Sequence, residues 1–249
     1  MFRSPVVLSA VALLVALAPV RAADEPKDVI ARALKAHGGE ERLAKNKAAR
    51  TKTKGKITLP GVGETEYSQE LSYMLPDKLK DQMELKVMGQ AVSVLTVVNG
   101  DQITLEVNGK AIGQEDKVKD AMRDVRHMME VARMVDLKNK EYELSPIGGD
   151  KVEGKKVVGV RVSKKGQKDV SLYFDAETGL LAKLEFRTTD QATGNEVTEE
   201  RLPSGYEKNK DGVQIPKKVV VKRDGKVFIE AEVVESAHFE KLDDGEFKK

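Results

Sequence analysis

Residues 64–107 have the sequence ETEYSQELSYMLPDKLKDQMELKVMGQAVSVLTVVNGDQITLEV. In the first part of this stretch apolar and polar residues alternate, so that Tyr67, Leu71 and Tyr73 share one face of an extended chain. A period of two is typical of a β-strand with one buried face. Residues 91–98 are almost continuously apolar, which predicts a central strand, and Asn99-Gly100-Asp101 predicts a tight turn into the next strand. The stretch therefore predicts an antiparallel meander.

The same alternation continues on both sides of the meander, and no Pro- or Ser-rich linker interrupts residues 23–249, so we expect one domain. Helical periodicity predicts helices at Asp24–Lys35, Glu40–Lys45 and Lys117–Leu137. The predicted fold is mainly β, with one highly curved antiparallel sheet of about a dozen strands and helices packed on one face. The predicted strands are Arg50–Leu59, Glu64–Met74, Lys78–Met88, Ala91–Val98, Gln102–Val107, Glu141–Pro146, Lys155–Ser163, Asp169–Phe174, Leu180–Thr188, Glu196–Tyr206, Val213–Arg223 and Lys226–His238.

The predicted helix Lys117–Leu137 carries a wide apolar stripe. The stripe comprises Val118, Ala121, Met122, Val125, Met128, Met129, Ala132 and Val135. Val131 and Met134 fall outside it, so the C-terminal half is apolar around much of its surface, as expected for a helix between a sheet and an apolar cavity. The methionines of this helix fit two interpretations: ordinary core packing, or a wall that adapts to varied apolar shapes.

The first 22 residues, MFRSPVVLSAVALLVALAPVRA, have the organisation of an export signal. Arg3 precedes an apolar stretch, and Val20-Arg21-Ala22 predicts cleavage after Ala22. The apolar stretch is shorter than the roughly 20 residues that a membrane-spanning helix needs. Because the chain contains no Cys, it cannot carry a lipid on a Cys side chain. We therefore expect a signal peptide at residues 1–22 and a soluble periplasmic or secreted product.

Composition argues against several classes of protein. Without Arg3 and Arg21, the 43 Lys and Arg residues fall to the number of the 41 Asp and Glu residues, so the mature chain is formally neutral. A nucleic-acid-binding protein normally has a basic footprint, and we expect no nucleic-acid partner. The absence of Cys excludes disulfides and Cys metal sites. The absence of Trp and the 4% aromatic content disfavour a sugar-binding platform.

No catalytic motif, metal motif or cofactor signature is found. The chain has no Gly-x-Ser-x-Gly sequence, no paired His motif and no phosphate-binding Gly loop. His37 is expected as a cation at the end of the first helix, where the helix dipole favours positive charge. His127 is expected on the polar side of the central helix, and His238 at the end of the last strand. We expect no catalytic residues, no metal, no cofactor and no enzymatic activity.

Three segments resemble a known family. They are Ala33–Glu40 (ALKAHGGE) followed by Lys54-Gly55-Lys56-Ile57, then Leu172–Leu181 (LYFDAETGLL), and finally Tyr206 with Asp211–Lys218 (DGVQIPKK). Their order is similar to that in the outer-membrane lipoprotein-sorting carrier (LolA/LolB-like) superfamily. The resemblance implies an incomplete, half-open β-barrel around a hydrophobic cavity with helices on the concave face. It also implies a carrier that shields acyl chains rather than an enzyme.

The resemblance leads to two hypotheses about function. The first is an exported soluble carrier of lipid or lipoprotein acyl chains, and the second is a periplasmic regulatory module of the same fold that binds a membrane-protein partner. The partners would be acyl chains and a membrane-protein donor or acceptor, with the protein itself a monomer. The predicted ligand-binding residues of the cavity are Tyr67, Leu71, Tyr73, Met83, Leu85, Met122, Val125, Met128, Met129, Val131 and Met134.

Overall fold

The computed structural model describes residues 25–113, 115–149, 151–190 and 193–248. The predicted signal peptide lies outside these residues. In the described part of the chain, the α-helices are α1 (Pro26–Ala36), α2 (Glu40–Lys45) and α3 (Glu115–Arg133), and short 3-10 helices occupy Val135–Lys138 and Asp244–Phe247. The strands are β1 (Ala48–Leu59), β2 (Gly63–Met74), β3 (Lys78–Val87), β4 (Gln90–Asn99), β5 (Gln102–Val107), β6 (Lys110–Ala111), β7 (Tyr142–Ile147), β8 (Lys151–Val152), β9 (Lys155–Lys164), β10 (Val170–Asp175), β11 (Leu181–Thr189), β12 (Glu196–Ser204), β13 (Glu207–Lys208), β14 (Gln214–Ile215), β15 (Lys218–Arg223) and β16 (Lys226–Phe239).

One large antiparallel sheet dominates the fold. Its strand order is β6-β5-β4-β3-β2-β1-β16-β15-β12-β11-β10-β9-β7, and β8 pairs with β9. The first five predicted strands form the expected meander. The end strands β6 and β7 are not hydrogen-bonded to each other along this path, so the sheet is not closed. The predicted mainly β fold with an open antiparallel barrel is confirmed.

Irregularities in pairing bend the middle of the sheet. Between β1 and β16 the register shifts at Lys52 and Thr53, which leaves Val234 as an extra residue on β16. Between β15 and β16 it shifts after Val221, which leaves Phe228 as a second extra residue. Such β-bulges bend a strand and increase its twist. They lie on the strands that join the two halves of the sheet, and they therefore help to make its inner face concave.

The helices pack on this concave face. Helix α3 contacts β10 and β11 on one side and β5 on the other, while α1 contacts β7 and β9. The main core lies between α1, α3 and strands β9–β11. Its fully buried members include Ala33, Val131, Val160, Val162, Leu172 and Phe174. A helix enclosed by sheet on two sides explains why its apolar surface is broader than a single stripe.

One predicted helix ends earlier than expected, and one predicted strand is interrupted. Helix α3 stops at Arg133 because Met134 adopts a left-handed conformation with φ of 62°. The chain then tightens into the 3-10 helix, which places Val135 and Leu137 in the core. The predicted strand over 213–223 is broken at Pro216, which has no backbone N–H to donate to a ladder. Its first part, β14, pairs with β13 outside the main sheet.

Candidate functional site

The concave face of the sheet and α3 enclose a partly open cavity of about 580 Å³. Strands β1, β2, β3, β12, β15 and β16 supply most of its wall, and α3 covers it. A volume of this size lies within the roughly 300–1,000 Å³ range of small-molecule sites. The cavity is therefore the candidate functional site.

The helical wall of the cavity comes from Ala121, Met122, Val125 and Met129. These residues are spaced by one, three and four positions and so share one face of α3. Met122, Val125 and Met129 are only half-buried although they lie beneath the sheet, because they border the open volume. Two of the three are unbranched methionine side chains, which adapt readily to ligands of varied shape.

The opposing wall is formed by inward-facing strand residues. Of the predicted strand residues, Tyr67, Leu71 and Met83 line the cavity. Sequence reasoning did not select the remaining apolar residues of this wall, although alternation in β15 and β16 was a usable signal. They are Ile57, Leu59, Pro60, Leu79, Ile215, Pro216, Val219, Val221, Phe228, Ile229, Ala231 and Val233.

Five predicted ligand-binding residues lie elsewhere. Met128, Val131 and Met134 are almost fully buried in the main core, on the side of the helical segment that faces β9–β11. Leu85 packs with other apolar residues in a smaller cluster next to the cavity. Tyr73 is half-buried, and burial raises the pKa of its phenol against the opposing positive charge of Arg133. The structure does not place these five on the cavity wall, and their contact with a ligand stays a prediction.

Two groups of polar side chains interrupt the apolar wall. On β1–β3, the Thr53 hydroxyl donates to Gln69 Oε1 at 3.2 Å, and Gln69 Nε2 donates to Asp81 Oδ1 at 2.8 Å. Burial raises the pKa of Asp81 to about 6, against the opposing effects of Gln69 and of the Arg201 charge. Asp81 is therefore ionised at neutral pH in a partly desolvated place.

The second polar group lies on β12 and β15. Arg201 Nε donates to Glu199 Oε1 at 2.9 Å, Arg201 Nη2 lies 2.8 Å from the same oxygen, and Arg223 Nε donates to Glu199 Oε2 at 3.1 Å. Arg223 Nη1 also donates to Asp190 at 2.7 Å. Burial alone would raise the pKa of Glu199, but Arg201 and Arg223 outweigh it and lower the pKa. Glu199 thus stays ionised although it is buried.

Two of the three histidines differ from their predicted roles. His37 Nδ1 donates to the Ala33 carbonyl at 2.8 Å, its Nε2 accepts from the Leu181 N–H, and burial lowers its pKa. The predicted cation is therefore wrong: His37 is a buried neutral imidazole. His127 is also buried rather than solvent-facing, and the ring of Tyr142, the first residue of β7, stacks on the imidazole with ring centroids 6.4 Å apart. His238 lines the cavity.

No metal centre or membrane-spanning helix is found in the described ranges. Among these residues, no three His, Asp or Glu side chains gather closely enough to hold a metal ion. None of the described helices is both long and apolar enough to cross a membrane.

The three segments that carry the family resemblance meet around His37. The Gln214 N–H donates to the His37 carbonyl at 3.0 Å, and the Tyr206 hydroxyl donates to the Leu181 carbonyl at 2.9 Å. The His37 and Tyr206 rings make an edge-to-face contact with centroids 5.7 Å apart. The end of α1, the start of β11 and the β13–β14 region are therefore joined at one place, beside the cavity wall at Ile215.

Solved structures share the fold of this chain. A LolA superfamily protein from Nitrosomonas europaea aligns over 90% of this chain and 97% of its own, at 9% identity and a TM-score of 0.53. A DUF1329 family protein from Desulfovibrio piger aligns over the same fractions at 15% identity and a TM-score of 0.51. The chain has a LolA-like fold. Neither a protein-family model nor a curated protein sequence matches it. In this LolA-like fold, the cavity lies between α3 and the concave face of the sheet.

Proposed function

We propose that this protein is an exported, non-enzymatic carrier that shields the acyl chains of a lipid or lipoprotein. The observation that carries the proposal is the cavity of about 580 Å³ between α3 and the concave sheet, with its predominantly apolar wall. The LolA-like fold supports it, because an open barrel covered by a helix can admit a chain without unfolding. The proposed location is the periplasm, after removal of residues 1–22.

Burial of an acyl chain in this cavity supplies enough free energy for binding. Each methylene removed from water contributes roughly 0.8 kcal/mol, so ten of them contribute about 8 kcal/mol. This gain exceeds the lower estimates of the entropic cost of association, about 4 kcal/mol. The apolar wall therefore suffices for affinity, and a donor or acceptor membrane protein would load or unload the chain.

The test introduces a charge into the helical wall. Met129 lines the cavity, and Met129→Glu places a carboxylate where the acyl chain would lie. We expect this variant to lose at least about 90% of the binding of a fluorescent fatty-acyl probe, because an unpaired charge is costly in an apolar site. Met88→Glu is the matched control, since Met88 is 86% exposed on the turn after β3. It should bind like the parent protein.

Folding and cargo identity are checked alongside. Circular dichroism and urea unfolding must show that Met129→Glu is folded, and Met122→Trp, which fills the cavity without adding charge, provides a second variant. Lipid mass spectrometry of the purified protein should reveal a stoichiometric co-purifying lipid. If the parent binds no acyl probe, or the folded Met129→Glu variant binds as tightly as the parent, the carrier proposal is wrong. The module that binds a membrane-protein partner would then be the better hypothesis.

A further inference from the structure

We propose that the polar groups of the cavity wall select cargo by its head group, favouring lipids with an uncharged, hydroxyl-bearing head over anionic lipids such as free fatty acids. This inference rests on the proposed carrier function. We call these groups the polar band, and all of them line the cavity. They are Thr53, Gln69, Asp81, Asp190, Glu199, Arg201 and Arg223.

Asp81 retains capacity to accept hydrogen bonds from a ligand. Among the described residues, the hydrogen-bond donor to its carboxylate is Gln69 Nε2, which lies 2.8 Å from Oδ1 and 3.0 Å from Oδ2. A carboxylate has about four lone-pair positions, so one donor leaves most of them free. Since Asp81 lines the cavity, a ligand hydroxyl can donate to it.

Arg201 retains capacity to donate. Its Nε donates to Glu199 Oε1, its Nη2 forms an ion pair with the same oxygen, and its side chain is 35% exposed. A guanidinium has five N–H donors, so Glu199 uses only part of them. The Arg201 charge acts on Asp81, but the two groups do not form an ion pair with each other. A ligand between them meets an acceptor on β3 and a donor on β12, which suits the hydroxyl and ester groups of an acylglycerol.

The charge balance of the polar band disfavours an anionic head group. Glu199 is paired with Arg201 and Arg223, and Asp190 is paired with Arg223, whereas Asp81 is ionised at neutral pH and has no salt-bridge partner among the described residues. Both arginines are already held by Glu199, and Arg223 is also held by Asp190. His238, which also lines the cavity, adds no charge because burial lowers its pKa. The negative charge of an anionic head group would therefore be repelled by the Asp81 carboxylate in this partly desolvated space.

The experiment compares two ligands with the same acyl chain. Monopalmitoylglycerol and palmitate, each below its aggregation concentration at pH 8, compete with a neutral fluorescent acyl probe for the full-length mature protein. We expect monopalmitoylglycerol to bind at least about tenfold more tightly. In Asp81→Asn the polar band loses the unpaired negative charge of Asp81, and we expect its affinity for palmitate to rise about fivefold or more. The ratio of the affinities for monopalmitoylglycerol and palmitate should therefore fall.

Asp101→Asn is the matched control, because it removes one negative charge from an exposed turn outside the cavity. Asp101→Asn should leave the ratio of the two affinities unchanged. If Asp81→Asn does not fold, Asp81→Ser takes its place in the experiment. Equal affinity of the parent for both ligands, or an unchanged ratio in folded Asp81 variants, overturns the head-group inference and leaves the carrier function standing. Failure of both ligands to displace the probe, or of the probe to bind, overturns the carrier function itself.

Discussion

His37 illustrates how one side chain can fix the junction of distant segments. Its two ring nitrogens are bonded to backbone groups of α1 and β11, and its own carbonyl accepts from β14. This pattern requires the neutral imidazole with the proton on Nδ1. Protonation would turn Nε2 into a donor facing the Leu181 N–H, so the folded state disfavours the charged form.

We expect His37→Ala to lower the free energy of unfolding by about 2–3 kcal/mol at pH 7.5, because two side-chain hydrogen bonds are lost and the Leu181 N–H loses its acceptor, while the Ala33 carbonyl keeps its bond from the backbone N–H of residue 37. The pH dependence has a defined sign. The folded-state pKa of His37 lies below its unfolded value of about 6.5, so its contribution is present above that pH and is lost as pH falls.

Urea unfolding at pH 7.5 and pH 5 tests this prediction. The difference in the free energy of unfolding between the parent and His37→Ala should shrink at the lower pH. His127 and His238 also have lowered pKa values, but both are present in the two proteins, so their contributions cancel in this difference. Lys35→Ala, on the exposed side of the same helix turn, should have little effect at either pH. A difference that grows as pH falls would contradict the neutral assignment.

At the scale of elements, the β1–β16 pair joins the two halves of the sheet at very close range. Gly55 of β1 lies opposite Ala231 of β16. A Cβ added at Gly55 would lie 1.8 Å from the Glu230 carbonyl oxygen, which no side chain can do without moving the backbone. Glycine at this position therefore permits the tight approach of the two strands that curls the sheet.

We expect Gly55→Ala to cost about 2 kcal/mol or more in stability, because the clash is with backbone rather than with a flexible side chain. It should also reduce binding of the acyl probe, since the strands that it separates form the cavity wall. Gly148→Ala is the matched control, as its added Cβ would have open space. Thermal unfolding and probe titration give the two readouts, and a Gly55→Ala variant as stable as the parent would disprove the close approach.

The elements that were predictable from the sequence are those that are buried on one face only, because a single buried face produces a regular alternation of apolar and polar residues. Period-two alternation located the strands of the meander to within two residues, and helical spacing located α3. His127 was misplaced because an amphipathic pattern identifies one covered face, whereas the curled sheet covers α3 from β5 and from β10–β11. The same geometry sends Met128 and Met134 into the core, and only Met122, Val125 and Met129 to the cavity. The polar band was not predicted, because its members come from five strands and the turn after β11, which only the curl of the sheet brings together.

On the scale of the whole molecule, the outer face of the sheet is charged and the inner face is predominantly apolar. On the outer face Lys52, Lys54 and Lys56 of β1 alternate with the inward residues and pair with glutamates of β2 and β16, for example Lys56 with Glu64 at 2.7 Å. Exposed pairs of this kind contribute little to stability. The net effect is a water-compatible exterior around an apolar interior, as a carrier requires.

Ligand binding should therefore be visible in the stability of the entire molecule. At a ligand concentration about 100 times the dissociation constant, linkage adds about 2.7 kcal/mol to the free energy of unfolding. For a chain of this size we expect a rise in the melting temperature of roughly 5–10 °C. Differential scanning calorimetry with and without monopalmitoylglycerol measures it. The Met129→Glu variant should show no such rise, and an equal rise in both proteins would place the ligand outside the cavity.

The pairing of β1 with β16 also bears on the order in which the molecule can assemble. Ala48 lies opposite Phe239, nearly the full described length of the chain away, whereas β1–β5 are joined by short local turns. Contacts of such long range are slow to form because the loop that they close is costly in entropy. Until β16 arrives, the hairpins of the first half present β1 as an unpaired edge, which is a template for pairing with other chains. Lys52, Lys54 and Lys56 lie on that edge strand, and we expect these charged side chains to disfavour its pairing with a second copy until β16 has added to it.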